Sequence, residues 1–254
     1  MWGRLRLTPV WRFIPLLEAD GCTQMAVDHW LFRQHALGHH PPTLRFYTWA
    51  PPAISLGRHQ QQWPEHWNQL VWQGSPIDLV RRPTGGRAVL HQGDLTYAVI
   101  TSGLVPDRVQ AYRQICEFLI QGWRSLGLTL EYGEAKRGYI HNPHCFGTAT
   151  QADLVLPDGT KLIGSAQLRQ GNTVLQHGSM ALQVDPVLMA QVFGQKPTPL
   201  PLLSQTATWE NLLHQVVTTL TAALEDCFTI KVNVQPLSVE EIEAAITLQN
   251  QDRS

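Results

Sequence analysis

The spacing of apolar residues predicts four helices along this chain. Apolar side chains recur every three or four positions, the period that places them on one face of a helix. On this basis we predict helices over residues 21–37, 109–123, 209–227 and 238–249. Ser238 fits the N-cap of the last helix, with Glu241 at the position that completes a capping box.

Shorter apolar runs between turn signals predict strands. These runs cover residues 44–48, 53–57, 77–82, 87–91, 94–101, 151–156, 160–168 and 173–180. The Pro157-Asp158-Gly159 and Gly171-Asn172 turns join the last three strands into consecutive hairpins. Because several strands follow one another without an intervening helix, we predict an α+β fold rather than an alternating α/β fold.

The chain has 254 residues, a length that can bury a full core as one domain. We therefore predict a single domain over residues 1–254. The motif-bearing core covers about residues 20–195, and C-terminal helices cover residues 205–250. The segment 195–205 contains Pro197, Pro199 and Pro201 and is predicted to be a linker.

The charge and the apolar runs do not favour nucleic acid or membrane partners. Charged residues make up 15% of the chain and the net charge is −1, so no strongly basic face is expected. No apolar run is long enough to span a bilayer, and no apolar region follows the first basic residues, so we expect no secretory signal. The 4 cysteines include no C-x-x-C pair, which favours a reducing compartment, and we expect a cytoplasmic protein.

A glycine turn between two apolar runs is the first candidate for chemistry. It lies in the segment Arg81-Arg82-Pro83-Thr84-Gly85-Gly86-Arg87-Ala88-Val89-Leu90-His91. Adjacent glycines permit a positive φ and let the bare backbone approach another group closely. The residues alone leave three interpretations open: a phosphate cradle, a carboxylate clamp or a tight hairpin.

The four cysteines differ in their surroundings. Cys116 and Cys227 lie on apolar helical stripes, and Cys22 lies on one face of the first predicted helix, so we predict that these three pack in the core. Cys145 lies in a polar segment with proline and glycine but no periodicity, which predicts a loop where reactive groups concentrate. The residues alone do not distinguish a reactive thiol from an incidental one.

Small residues interrupt both arms of the last predicted hairpin. They occur in Lys161-Leu162-Ile163-Gly164-Ser165-Ala166-Gln167 and in Gln176-His177-Gly178-Ser179-Met180. Glycine within a strand usually marks the close approach of a ligand or of another backbone. Either a binding site or tight packing of the sheet accounts for this pattern.

Taken together and in this order, these motifs resemble the lipoate–biotin protein ligase superfamily. The resembling segments are Met25-Ala26-Val27-Asp28, Leu44 to Gly57, Arg81 to His91, Leu95-Thr96-Tyr97, Cys145-Phe146, Lys161 to Gln167 and Gln176 to Ser179. Among its branches, the chain is most similar to the cysteine-type octanoyl-acyl-carrier-protein:protein N-octanoyltransferases. The resemblance implies a mixed β-sheet flanked by helices, with a tunnel for an acyl chain.

The resemblance also implies which residues form the site. Cys145 and Lys161 match the catalytic pair of these transferases. The residues expected to line the substrate tunnel are Arg82, Thr84, Gly85, Gly86, His91, Gly164, Ser165, Ala166, Gln167, His177 and Gly178. Arg81 and Arg82 are candidates for contact with the acidic carrier protein or its phosphopantetheine arm. No metal is expected, because the histidines are dispersed and form no ligand spacing.

The implied reaction transfers octanoyl from octanoyl-acyl carrier protein to a lysine of a lipoyl domain, in lipoate biosynthesis. A lysine ammonium near Cys145 favours its thiolate, which attacks the thioester to give an acyl-enzyme. Expected partners are acyl carrier protein and the lipoyl domain of glycine-cleavage H protein or a 2-oxoacid dehydrogenase E2. We expect a monomer with no bound cofactor.

Three alternatives stay open. The first is an ATP-dependent lipoate ligase, which would need ATP and Mg. The second is an octanoyl amidotransferase between lipoyl domains, and the third is a catalytically silent lipoyl- or acyl-binding protein. Cys145 favours the transferase, and Gln92-Gly93-Asp94 departs from the Asp-Gly-Asn type sequence of the ligases. In a plain hairpin Lys161 and Cys145 lie far apart, so we expect the loop 138–149 to fold back along the sheet if they meet.

Overall fold

The computed structural model describes residues 8–133, 153–194 and 208–252. The helices in these ranges are α1 (Gly21–Ala36), α2 (Arg108–Ser125), α3 (Pro186–Phe193), α4 (Trp209–Phe228) and α5 (Val239–Gln251). All four predicted helices are present within one or two residues at each end. Ser238 caps α5 and forms the predicted capping box with Glu241. The predicted linker at 195–205 lies outside the described residues.

Thirteen strands in the described ranges form three sheets. The main sheet has the order β13-β1-β2-β8-β12-β11-β10-β9, and β3 lies between β6 and β7 in a smaller one. The strands are β1 (Val10–Ala19), β2 (Thr43–Trp49), β3 (Ala53–Leu56), β4 (Val71–Trp72), β5 (Ser75–Pro76), β6 (Asp78–Arg81), β7 (Val89–His91), β8 (Asp94–Ser102), β9 (Glu131–Tyr132), β10 (Asp153–Val155), β11 (Lys161–Gln170), β12 (Thr173–Ala181) and β13 (Lys231–Val234). Parallel and antiparallel pairs both occur in the main sheet, so the mixed sheet of an α+β fold is confirmed.

Successive side chains of the central strand β8 point to opposite faces of the main sheet and enter different cores. Tyr97 and Val99 pack with α2 and α4, whereas Ala98 and Ile100 pack with α1 and α5. This alternation follows from the two-residue period of a strand. The two faces are called the α2 face and the α1 face below.

The smaller sheet brings the glycine turn close to the main sheet. Its strands β6 and β7 both pair with β3, and the turn connects them. The three predicted strands at 77–101 are present, but β8 belongs to the main sheet. The chain changes sheets at Gly93, whose φ is +62° and where a Cβ would lie 2.1 Å from the Gln183 carbonyl oxygen. Only glycine fits this crossing point.

The structure corrects two expectations about individual elements. The apolar pattern predicts no element over β1, β13 or α3, yet β1 and β13 build one edge of the main sheet. Cys22, predicted to pack in the core, is exposed. In the first turn of α1, Gly21 faces Val80 and Ala53, so its neighbour Cys22 points away from them. Among the helices of the described ranges, none is long and apolar enough to cross a membrane.

Candidate functional site

A pocket opens on the α1 face, between the main sheet and the smaller sheet. Both predicted motifs contribute to its wall, the glycine turn from one side and the β11–β12 hairpin from the other. The lining residues are Met25, Tyr47, Trp49, Ser55, Arg82, Gly85, Gly86, Val89, His91, Thr96, Asp153, Gly164, Ser165, Ala166, His177, Gly178 and Ser179. Of the eleven residues predicted to line a tunnel, nine are in this set. Thr84 and Gln167 are not.

A buried carboxylate, Asp28 on α1, anchors one wall of the pocket. It accepts hydrogen bonds from Arg45 Nη1 at 3.0 Å, Tyr47 OH at 2.8 Å and His177 Nδ1 at 2.7 Å. Burial raises the pKa of Asp28, but Arg45, His177 and Tyr47 outweigh it and hold the pKa below its ordinary value of 3.8. The His177 Nε2 atom lies 2.6 Å from the Thr84 hydroxyl. Thr84 is therefore tied through His177 to α1.

A second hydrogen-bonded chain runs through His91. Its Nδ1 lies 2.8 Å from Asp94 Oδ2, and its Nε2 lies 2.8 Å from Ser55 Oγ. Burial lowers the pKa of His91 below its ordinary value of 6.5, with the Asp94 carboxylate acting in the opposite direction. The imidazole is therefore neutral near pH 7, with Nδ1–H donating to Asp94 and Nε2 accepting from Ser55. Trp49 stacks on the His91 ring at 3.8 Å between centroids and fixes its plane.

Arg82 holds the glycine turn in shape. Its guanidinium donates to the carbonyl oxygens of Ser55 at 2.8 Å, Gly85 at 2.9 Å and Arg87 at 2.7 Å. Gly86 has φ +98°, and a Cβ there would lie 2.7 Å from Arg82 Nη2. A positive φ and a close approach of the backbone are the two properties that the paired glycines predict. Arg82 therefore braces the turn from inside, which sequence reasoning did not anticipate.

The β10–β11 hairpin brings Lys161 next to two residues that line the pocket, Asp153 and Gly164. Asp153 pairs with Gly164 and Leu154 with Ile163, but Val155 pairs with Lys161, so β11 contains one extra residue. Such a bulge re-aims the next side chain, because it reverses the alternation along the strand. Lys161 therefore lies on the same face as Gly164 and Asp153.

The Lys161 side chain runs back across Gly164. A Cβ at Gly164 would lie 2.8 Å from Lys161 Cε and 3.0 Å from Nζ. The Nζ atom forms an ion pair with Asp153 Oδ1 at 2.9 Å, and both side chains are at most 4% exposed. The absence of a side chain at Gly164 makes room for the lysine. The ammonium thus lies against Asp153 and Gly164, which line the pocket, although its strand begins at the far end of the hairpin and Lys161 itself is not a lining residue.

Gln167 lies on the opposite face of the β11–β12 hairpin, away from the pocket. Gln167 Nε2 donates to Gln176 Oε1 at 2.7 Å, and Gln176 Nε2 donates to Tyr97 OH at 2.8 Å. Ser165 also reaches Tyr97 with its hydroxyl. These side chains lie on the α2 face, because they alternate with Gly164 and Ala166 along β11. Gln167 was predicted to line the tunnel, but the structure places its side chain on the other face of the sheet. The Ser165 side chain points the same way, so Ser165 borders the pocket only through its backbone.

Gly178 has a packing explanation on that same face. A Cβ at this position would lie 2.4 Å from Ser165 Oγ and 2.7 Å from a ring carbon of Tyr97. The two interruptions in the hairpin thus have different causes: Gly164 accommodates Lys161, whereas Gly178 permits close packing of the sheet.

Cys145 lies outside the described residues, and so does the rest of the predicted loop 138–149. Cys116 is fully buried, and burial raises the pKa of its thiol to about 12. Cys227 is partly buried against the same core, and its pKa is raised to about 11. Neither thiol ionises near pH 7, so they lack the reactivity that a nucleophile needs. Throughout the described ranges, no three histidine, cysteine or acidic side chains are grouped so that they could hold a metal ion.

Four residues of these networks are absent from the predicted site: Asp28, Asp94, Asp153 and Ser55. Two of these residues have a sequence feature that could have drawn attention to them. Asp28 is a carboxylate that follows Met25, Ala26 and Val27 on a helix, and a buried acid requires a partner. Ser55 interrupts the apolar run of β3. The partner of Asp153 depends on the bulge in β11 and left no trace in the sequence.

Residues 20–249 match the family model described as the lipoyl protein ligase A/B catalytic domain. Two similar curated proteins are both named octanoyltransferase LipM. That of Halalkalibacterium halodurans is 39% identical over 195 residues, covering 72% of this chain and 70% of the relative. That of Anoxybacillus flavithermus is 40% identical, covering 72% and 69%. These relatives confirm the predicted octanoyltransferase type of enzyme.

A solved structure supports the fold. The bipartite lipoate protein ligase of Thermoplasma acidophilum superposes with a TM-score of 0.72 at 21% identity, covering 96% of this chain and 93% of that one. The predicted lipoate-ligase fold is thereby confirmed. With the family model matching residues 20–249, the chain belongs to the lipoyl protein ligase A/B catalytic domain family.

Proposed function

We propose that this chain takes an octanoyl group from octanoyl-acyl carrier protein and delivers it to a lysine of a lipoyl domain, through a thioester on Cys145. The observation that carries this proposal is that a β-bulge and a glycine place the Lys161 ammonium against Asp153 and Gly164, two residues that line the pocket. A charged amine beside an acyl pocket serves an enzyme that must stabilise a thiolate and handle the proton of an attacking amine.

The reaction divides into two acyl transfers. In the first, the Cys145 thiolate attacks the thioester carbonyl, the new carbon–sulfur bond forms, and the carrier's thiol leaves and takes up a proton. In the second, the acceptor's neutral lysine amine attacks the Cys145 thioester, an amide forms as the carbon–sulfur bond breaks, the amine's surplus proton passes to solvent, and the cysteine sulfur leaves as the thiolate. No ATP is consumed, because the donor is already activated.

The pocket wall is fixed before the substrate arrives. The Asp28 and His91 chains connect α1, the glycine turn, β3 and β12 by buried hydrogen bonds. Satisfied polar networks of this kind make a site rigid. Lys161 and Asp153 form a buried pair, so the ammonium has a fixed position rather than a range of rotamers. Rigid placement lowers the entropic cost of bringing the reacting groups together.

The proposal is tested by measuring octanoyl transfer in the absence of any nucleotide. Octanoyl-acyl carrier protein, enzyme and a lipoyl domain are mixed without ATP, and the lipoyl domain is weighed by mass spectrometry. We expect an octanoylated lipoyl domain. Product formed only from free octanoate with ATP and Mg would instead identify a ligase, and product formed only from an octanoylated second lipoyl domain would identify an amidotransferase.

A further inference from the structure

A cleft next to the pocket is lined by five arginines. Arg82 and Met25 line both the pocket and this cleft, so the two adjoin. The arginines come from separate segments, α1, the loop after β3, β6, the glycine turn and β11: Arg33, Arg58, Arg81, Arg82 and Arg169. The whole chain has only 19 lysines and arginines and a net charge of −1. This concentration of positive charge is therefore local.

Little negative charge offsets these arginines. Asp252 is the one carboxylate among the described residues that line the cleft. It lies 3.5 Å from Arg33 Nη1 and 3.5 Å from His29 Nδ1. Burial lowers the pKa of His29, Asp252 acts against this, and Arg33 and Arg58 lower it further.

The arginines divide into two groups. Arg81, Arg82 and Arg169 donate to backbone carbonyls, such as Gly57 O at 2.8 Å from Arg81 Nη1. Hydrogen bonds to carbonyls satisfy the donors but leave the positive charge in place. Arg33 and Arg58 are exposed at the rim, and the described residues offer Arg58 no hydrogen-bond acceptor. The rim therefore presents guanidinium groups to an incoming anion.

The two substrates of the proposed reaction differ in the charge that they bring. The acceptor presents a lysine, which is a cation until it loses its proton, and five guanidinium groups repel it. The donor presents an acidic protein surface and the phosphodiester of its thioester-bearing arm. Guanidinium groups bind phosphate and carboxylate well because their donors match the spacing of two oxygens.

We propose that the arginine cleft is the docking surface for the acidic carrier protein that delivers the octanoyl thioester. The proposal rests on the proposed function, and it assigns the donor, not the acceptor, to this side of the pocket. Arg33 and Arg58 attract the carrier's acidic surface, while Arg81 and Arg82 supply fixed positive charge where the arm enters. Arg169 completes the far wall; its Nη1 atom is held by the Pro106 carbonyl at 2.8 Å.

The test compares donors with and without the carrier protein. The double variant Arg33→Gln/Arg58→Gln is assayed with octanoyl-carrier protein and with octanoyl-pantetheine, which has neither the protein nor a phosphate. We expect KM for octanoyl-carrier protein to rise about tenfold with kcat unchanged, and its dependence on salt to weaken. Kinetics with octanoyl-pantetheine, and KM for the lipoyl domain, should not change. Arg124→Gln is the matched control, because Arg124 is an exposed arginine on α2, across the main sheet.

Three outcomes would overturn the proposal. The first is an unchanged KM for octanoyl-carrier protein in the double variant. The second is an equal rise in Arg124→Gln, which would indicate a general charge effect. The third is a rise in KM for the lipoyl domain instead, which would assign the cleft to the acceptor. A wild-type enzyme that transfers octanoyl from neither donor would refute the proposed function itself, a result distinct from all three.

Discussion

Replacing Gly164 with alanine should displace the Lys161 ammonium from its position beside the pocket while leaving the fold intact. The added methyl group would lie 2.8 Å from Lys161 Cε and 3.0 Å from its Nζ, whereas Asp153 Oδ1 lies at 3.7 Å, an ordinary contact. Carbon atoms in contact prefer a separation of about 3.5 Å or more, so Cε must retreat by about 0.7 Å. The ammonium moves with it, because the side chain ends one bond later.

The expected loss is mainly in activity. A misplacement of about 1 Å at a reacting group can lower the rate by about 100-fold. The clashing atoms are the far end of a flexible side chain, and Gly164 does not have a positive φ. The free energy of unfolding of Gly164→Ala should therefore change by no more than about 1 kcal/mol. The assay measures kcat for octanoyl transfer to a lipoyl domain alongside urea denaturation.

A double-mutant cycle separates this explanation from a simple blockage of the pocket. If the methyl group acts by displacing Lys161, then Gly164→Ala should cost nothing more in a Lys161→Ala background. An additive loss would show that Gly164 serves the substrate directly. Full activity in Gly164→Ala alone would refute the reasoning, because the position of the ammonium would then not matter.

Three further predictions concern the turn, the buried carboxylate and the thiols. Gly86→Ala should lower the free energy of unfolding by about 1–2 kcal/mol, because the φ of Gly86 is +98°. Gly85→Ala should keep the wild-type melting temperature, because the space around the new methyl group is open. Equal losses of stability in the two variants would contradict this. Because the pKa of Asp28 is lowered in the fold, its stabilising contribution is present above the ordinary value of 3.8 and is lost as the pH falls through the folded value. Asp28→Asn should therefore flatten the acid end of the stability–pH curve, and an unchanged curve would refute this. Iodoacetamide at pH 8 should leave Cys116 unmodified in the folded protein, since burial raises the pKa of its thiol to about 12; modification before unfolding, detected by peptide mass, would contradict it.

The four longer helices were predictable from the spacing of their apolar residues, but α3 and the edge of the main sheet were not. The strand β1 contains Arg12, which is buried, and a charged residue inside a strand obscures its pattern. Its partner is Glu241 on α5, whose two carboxylate oxygens lie 2.7 Å from Arg12 Nη1 and Nη2. A contact between residues 229 positions apart leaves no local signal.

The sequence motifs identified most residues around the pocket, but not how those residues are arranged in space. The sequence placed Lys161 at the far end of its hairpin, and the strand does begin there. What brings its ammonium back is the bulge opposite Val155 together with the missing side chain at Gly164. A bulge depends on how two strands pair, so neither strand alone reveals it. Similarly, the role of Arg82 as an internal brace requires the folded turn.

The proposed reaction passes through a covalent octanoyl-enzyme on Cys145, which intact-protein mass spectrometry detects directly. The enzyme is incubated with octanoyl-carrier protein, without ATP and without acceptor, and then weighed. We expect one octanoyl adduct that is lost in Cys145→Ser and kept in Cys22→Ser and Cys116→Ser. An adduct that persists in Cys145→Ser, or none in the wild type while transfer to a lipoyl domain proceeds, would contradict it.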